Sequence, residues 1–149
     1  MHKLDTITRK IIHELEQDGR LSNIKLAERV DLSQSACLRR VQELERAGII
    51  AGYRAVIDRS KLDGGFTVIV AVGLVRHQKD DQAAFVKAMA AAPEVRECHH
   101  VTGDIEYILR VEVADLQAYK QFHTETLGTC PQLSKISSHI VMESPKDVG

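Results

Sequence analysis

Tryptophan is absent from this 149-residue chain, and Phe and Tyr number only three each. A core, if there is one, has to be aliphatic. Cys is also scarce: three residues, an odd number without close pairing, exclude a disulfide framework and suit a reducing compartment. No apolar run approaches the ~20 residues of a membrane span, and the first residues, MHKLDTITRK, lack the apolar stretch of a secretory signal. The expectation is a cytoplasmic protein without membrane contact. Neither sign of charge dominates, since the formal net charge is −1. Also missing are a Gly-rich phosphate loop, a serine elbow and an HExxH motif. No convergent acid, base or nucleophile set stands out, so an enzyme is not expected.

What is present begins with DLSQSACLRRVQELERAGII, Asp31 to Ile50. Ser33 is an N-cap residue and Gly48 a helix terminator. Between them Cys37, Val41 and Leu44 recur at spacings of four and three, which places them on one face. At ~100° per residue, Ser35, Arg39, Gln42 and Arg46 fall on the opposite, polar face. Upstream, Thr6 to Gln17 reads as a helix capped by Asp5, with Leu4, Ile7, Ile11 and Leu15 as its stripe and Asp18-Gly19 as its end. Ser22 then caps a short helix, Asn23 to Val30, expected to bury Ile24, Ala27 and Val30. Three helices in under fifty residues, the last two joined by Asp31-Leu32-Ser33, match a helix-turn-helix.

Charge divides the chain more than its total suggests. Residues 1–63 carry 12 Lys+Arg against 10 Asp+Glu, and residues 64–149 carry 8 against 11. That permits a front half that meets phosphate and a back half that does not.

After Gly48 the β-prone residues Ile49, Ile50, Tyr53, Val56 and Ile57, broken by Gly52, predict two short strands or one extended linker. Lys61 to Gly65, KLDGG, is the expected boundary. The back half alternates periods. Phe66 to Leu74 is a near-continuous apolar run, read as a strand covered on both faces. Asp80 to Ala92 is an alanine-rich helix with Phe85, Val86 and Met89 on one side, stopped by Pro93. Val95 to Val101 is a strand, Thr102-Gly103-Asp104 a turn, and Ile105 to Val113 a longer strand alternating from Ile105 through Tyr107, Leu109 and Val111 to Val113. Leu116 to Leu127 reads as a helix capped by Asp115, with Leu116, Tyr119, Phe122 and His123 on one stripe. Ile136 to Glu143 is the last strand. The order β-α-β-β-α-β is a ferredoxin-like split unit. The fold class expected is therefore α+β: a winged-helix-like helix-turn-helix domain at residues 1–50, extended linker strands at 51–65, and a ferredoxin-like βαββαβ domain at 66–149.

Cys98, His99 and His100 raise the question of a metal. Adjacent strand residues point to opposite faces, so Cys98 and His100 converge and His99 does not. The other histidines lack a matching spacing for a set of ~4 ligands, and a structural role is the better reading. Cys37, on a buried stripe, is a small core residue. Cys130, before Pro131, is a candidate exposed thiol.

On the outward face of the Gln34–Arg46 helix, Ser35, Arg39 and Gln42 are candidates for base or sugar-edge reach in a major groove. Arg40 lies to the side, suited either to phosphate or to a bond with the neighbouring helix. Arg20 and Asn23 stand by the turn before the second helix, where phosphate contact and plain capping are equally good accounts.

Taken together, LDTITRKIIHELEQDGRLSN, LAERVDLSQSACLRRVQELERAGIIAGYRAVID and VTGDIEYILRV resemble the Lrp/AsnC (feast/famine) transcription regulators, from Leu4 to about Met142. The resemblance implies an N-terminal DNA-binding domain and a C-terminal domain that dimerises and senses amino acids. The implied partners are double-stranded DNA, a small amino-acid effector and further copies of the chain, as a dimer and then a tetramer or octamer. No other cofactor is implied. The DNA-binding set is then Arg20, Asn23, Ser33, Gln34, Ser35, Leu38, Arg39, Arg40 and Gln42. Gly103-Asp104, which by itself reads as a hairpin turn, becomes under the resemblance part of an effector pocket at a subunit boundary. That pocket takes in Thr102, Gly103, Asp104, Ile105 and Glu106, with polar contacts from Ser137 and Ser138. Asp104 or Glu106 would hold an α-ammonium group. The chain departs from the family pattern in having Glu106 where Asp is common, and Gln34 where Pro is common.

Overall fold

The computed structural model describes residues 4–58, 61–62 and 65–146. The chain divides into two compact units, residues 1–56 and 57–149.

In the first unit, three capped helices enclose a small core. Helix α1, Thr6–Gln17, starts where the Asp5 carboxylate accepts the Thr8 N–H at 2.7 Å. Helix α2, Asn23–Arg29, starts at Ser22, and α3, Gln34–Arg46, at Ser33, each cap hydroxyl accepting an N–H from three residues on. Between α2 and α3 the chain reverses through Asp31, whose φ of 55° is left-handed, a region that Asp tolerates better than most residues. Gly48, at φ 69°, takes the chain out of α3, and Ile49 N–H bonds back to Leu44 C=O. Ile11, Leu26, Ala27, Val30, Cys37 and Leu44 are buried together, with Ile7, Leu15, Val41 and Ile50 packed against them. Ile24 is not among them; it is 52 % exposed and Leu26 takes the expected place. At 100° per residue, Leu26, Ala27 and Val30 fall within one third of the helix circumference and Ile24 falls outside it.

Residues 51–58 form neither helix nor strand; of the two expectations, two short strands or one extended linker, the strands are not formed. Propensity alone does not make a strand when no ladder partner is beside it. Tyr53 instead turns back onto its own unit. Its hydroxyl donates to Glu45 at 3.0 Å, and its ring packs beside Gly19, 3.5 Å from where a Cβ on that residue would sit, an ordinary van der Waals contact. Burial and the Glu45 carboxylate raise the Tyr53 pKa. Of the expected boundary at 61–65, residues 63 and 64 lie outside the described residues, as do 59 and 60.

The second unit is a four-stranded antiparallel sheet in the order β2-β3-β1-β4. Its elements are β1 (Phe66–Leu74), α4 (Lys79–Ala91), β2 (Val95–His100), β3 (Tyr107–Val113), α5 (Leu116–Phe122) and β4 (Leu133–Ile140). One sheet face contributes Val68, Val70, Val72, Leu109 and Val111 to a core with Phe85 and Met89 of α4 and Tyr119 and Phe122 of α5. With both helices on that face, β1 is covered on one side only. Val68, Val70 and Val72 are fully buried while Thr67, Ile69 and Ala71 are only partly so, so the chain by itself covers one face and not the two expected. A continuous apolar run does not say how many faces are covered.

Three further expectations shift. Val86 and Leu116 are 43 % and 59 % exposed rather than on their helices' buried stripes. The last helix tightens its core contact by widening: α5 gives way to a π-helical segment, His123–Leu127, which buries Leu127. Strand β4 begins and ends three residues earlier than the pattern suggested. Its register is set by β1, with Val68 opposite Ile140 at one end and Leu74 opposite Leu133 at the other.

Candidate nucleic-acid interface and effector site

On α3, Ser35, Leu38, Arg39, Gln42 and Arg46 are exposed, so the polar face inferred from the helical period is present as a surface. Arg39 sits 3.4 Å from Glu43 one turn on, with both side chains exposed. Such a pair is worth little in water and separates easily. Leu38, 46 % exposed, adds an apolar group beside it. Arg46, one turn beyond Gln42, belongs to the same surface, although sequence reasoning left it out of the site.

The flanking candidates divide differently. Arg40 is turned into the fold: its Nη1 donates to both Asp5 oxygens at 2.9 and 2.7 Å and to the Thr8 hydroxyl at 2.7 Å. Hydrogen bonds from Thr8, first from its side chain and then its backbone, together with Arg40, hold the Asp5 carboxyl down at about 2. Of the two roles open to Arg40, the bond to the neighbouring helix is the one it makes. Asn23 donates its side-chain N–H to Gln34 C=O at 2.8 Å, joining the starts of α2 and α3. Ser33 acts as cap, its oxygen also 3.3 Å from the Ser35 hydroxyl. Gln34 and Arg20 are exposed, and the Arg20 N–H is turned toward the Asp18 carboxylate at 2.9 Å.

In the second unit, Thr102, Gly103 and Asp104 are exposed at the turn between β2 and β3, with Gly103 at φ 126°. Only glycine adopts that conformation without strain. Asp104 makes no ion pair among the described residues. Glu106 is fully engaged: its N–H donates to Val72 C=O and its C=O accepts from Val101. Its carboxylate accepts the Leu74 N–H at 2.7 Å and lies 2.6 Å from His77 Nδ1. A side chain on Gly73 would meet Glu106 Oε2, Ser134 Oγ and the Lys135 Cβ, each 3.4 Å from its first carbon. It is therefore Ser134 and Lys135 of β4 that, with Glu106, surround Gly73. Ser137 and Ser138, offered by the sequence for that role, pair with Ala71 and Val70 further along β1. They also point to opposite faces. Ser138 is 2.5 Å from the Tyr119 hydroxyl on the helix side, and Ser137 is 3.3 Å from His139 on the other. His77 was missed, because it lies in an unpatterned loop before α4 and meets Glu106 only through the fold.

The uncovered sheet face carries Ile69, Ala71 and Ile108 beside an ionic ladder. Glu97 accepts from Arg110 at 3.2 Å and lies 3.1 Å from His99; Glu112 pairs with Arg110 at 3.2 Å and with Arg96 at 3.5 Å. The His99 hydrogen bond, and then Arg110, lower the Glu97 pKa. On the other face, Cys98 packs against the core and His100 stacks on Tyr107 with ring centroids 4.8 Å apart. Burial raises the pKa of all three thiols. Cys130, expected to be exposed, is half-buried with its Sγ 3.2 Å from Thr126 C=O.

A helix-turn-helix with a free polar recognition face, followed by a βαββαβ unit, defines a two-domain DNA-binding regulator. Residues 4–51 match the model of winged helix-turn-helix DNA-binding domains, and residues 67–149 match the Lrp/AsnC ligand binding domain. The chain is 41 % identical to the leucine-responsive regulatory protein of Haemophilus influenzae over 98 % of this chain and 88 % of that one. It is equally similar to the leucine-responsive regulatory protein of Escherichia coli K12, over 96 % and 87 %. In structure it superposes on a transcriptional regulator from Neisseria meningitidis in complex with L-methionine, with a TM-score of 0.92, 34 % identity, and coverage of 97 % and 94 %. An AsnC-family regulator from Agrobacterium tumefaciens gives 0.90 at 33 % identity, over 97 % of this chain and 94 % of that one. The chain belongs to the Lrp/AsnC family. It is a DNA-binding transcription regulator with a ligand-binding domain, not an enzyme.

Proposed function

We propose that the protein is a homo-oligomeric regulator that reads a specific DNA site with α3 and whose binding or assembly responds to a small amino acid. The observation that carries the DNA half is the α3 surface. Ser35, Leu38, Arg39 and Gln42 are exposed on the side opposite the buried Cys37 and Leu44. In this reading Arg39 and Gln42 reach base edges, Leu38 meets a thymine methyl, and Ser33, Gln34 and Arg20 lie against the backbone. Arg40 and Asn23 contribute by fixing the angle of α3 rather than by touching DNA. Residues 1–50 form the DNA-binding domain, 51–65 the linker, and 66–149 the effector and dimerisation domain.

The effector site is the exposed turn Thr102–Asp104, with the part-buried Ile105 and Glu106 behind it, closed by a second copy of the chain. Asp104 holds the α-ammonium group, and turn N–H groups take the carboxylate. Relatives named for leucine and solved with L-methionine favour a ligand with an uncharged, apolar side chain. The partly buried Ile69, Ala71 and Ile108 on the uncovered sheet face favour pairing of two sheets about a two-fold axis. Two recognition helices then meet half-sites ~34–36 Å, or a multiple, apart. Tetramers or octamers built from such dimers would let DNA wrap. Among the described residues no helix is long and apolar enough to cross a membrane, and the reading places the protein in the cytoplasm without a further cofactor.

The test is fluorescence anisotropy at fixed salt with a cognate promoter and random DNA, each with and without free amino acids. Preference for the promoter that shifts with an amino acid supports the reading. Equal binding to both DNAs, unaffected by amino acids, makes it an architectural binder instead.

A further inference from the structure

Glu106 joins three stretches of chain that are distant in sequence. Its backbone bridges Val72 and Val101. Its side chain, 12 % exposed, crosses beside Gly73 to the point where the β1–β4 register shifts. There Oε2 takes the Leu74 N–H, and Oε1 faces His77 Nδ1 at 2.6 Å. Both oxygens of this carboxylate thus have short partners, whereas Asp104, two residues earlier, is exposed and makes no ion pair among the described residues. Two acids at one turn are therefore not equivalent.

We infer that His77 is a specificity-determining residue of the effector site, acting through Glu106. By occupying Oε1 it keeps the Glu106 carboxylate turned toward Leu74, so the site offers one open anion, Asp104. An amino acid with a single ammonium group is accepted; lysine or arginine, with a second cation, finds no free carboxylate for it. This inference rests on the reading that the Thr102–Glu106 turn lines the effector site. The His77 side chain is 79 % exposed, so its replacement removes the Glu106 contact without opening the core.

The experiment is calorimetric titration of the full-length chain with L-leucine, L-methionine, L-lysine and L-arginine. It compares wild type, His77→Ala and His77→Gln. Wild type is expected to bind the neutral pair and not the basic pair. In His77→Ala the freed carboxylate should raise lysine and arginine affinity by about tenfold or more, the usual scale of one hydrogen bond to a charged group. His77→Gln, which keeps a polar group able to reach Oε1, should behave as wild type. If His77→Ala retains leucine binding with an unchanged preference, or wild type already binds lysine as well as leucine, the role of His77 is overturned while the effector site stands. His77→Gln behaving like His77→Ala would overturn the account in which a polar contact at Oε1 holds the carboxylate. No binding of any of the four by wild type overturns the effector site itself, and this inference with it.

Discussion

Arg40 holds both carboxylate oxygens of Asp5 across 35 residues of chain, at 2.9 and 2.7 Å. Asp5 at the same time caps α1, so one carboxylate starts the first helix and anchors the third. The arginine beside it in sequence, Arg39, has among the described residues only an exposed, loose partner in Glu43. Adjacent residues of the same type thus differ: Arg40 is tied to the start of α1, and Arg39 is left at the surface.

That division predicts opposite behaviour on DNA. Arg39→Ala should cost ~1–3 kcal/mol of specific binding and relax discrimination at one base step. Arg40→Ala should instead lower the melting temperature of the first unit and weaken promoter and random DNA alike. Anisotropy titrations on both DNAs, with calorimetric melting of the same variants, read out the difference.

Acid should reveal the same contact. The Asp5 pKa is lowered from 3.8 to about 2 in the folded chain. Its contribution to stability is therefore complete above the unfolded value of 3.8 and is lost as pH falls through about 2. Denaturation of wild type and Asp5→Asn at a series of pH values should show a gap near pH 5 that closes toward pH 2. A gap of constant size would show that the ionised carboxylate is not what stabilises the first unit.

At the effector turn, Asp104→Ala should abolish the amino-acid-induced change in DNA binding and leave basal binding intact. Ser138→Ala breaks the contact with Tyr119 and should cost about 1 kcal/mol of stability, with the amino-acid response preserved. A response that survives Asp104→Ala would move the site elsewhere.

Gly128 ends the π-helical segment, where an added Cβ would sit 2.6 Å from Thr124 C=O. Because the obstacle is backbone, it cannot rotate away. Gly128→Ala should destabilise the second unit by ~1–3 kcal/mol, measured by chemical denaturation.

Much of this architecture is local and therefore legible in the chain. Asp5, Ser22, Ser33 and Asp115 are caps because a short polar side chain meets a free N–H three residues on. Cys37 and Leu44 are buried, and Ser35, Arg39 and Gln42 exposed, because the helical period separates them. The alternation of β3 from Tyr107 to Val111 sends the same residues inward for the same reason.

What local rules could not reach are facts about partners. The single-sided cover of β1, the register that ends β4 at Ile140, and the separation of Ser137 from Ser138 all depend on which strand lies alongside. So do the commitment of Arg40 to Asp5 and the meeting of His77 with Glu106. Sequence by itself determined the capped starts of α1, α2, α3 and α5, the faces of α3 and the order of the two domains, because caps and periods act within a few residues. Only the tertiary structure decided which charges are left open, because an ion pair is formed by distance in space and not by spacing along the chain.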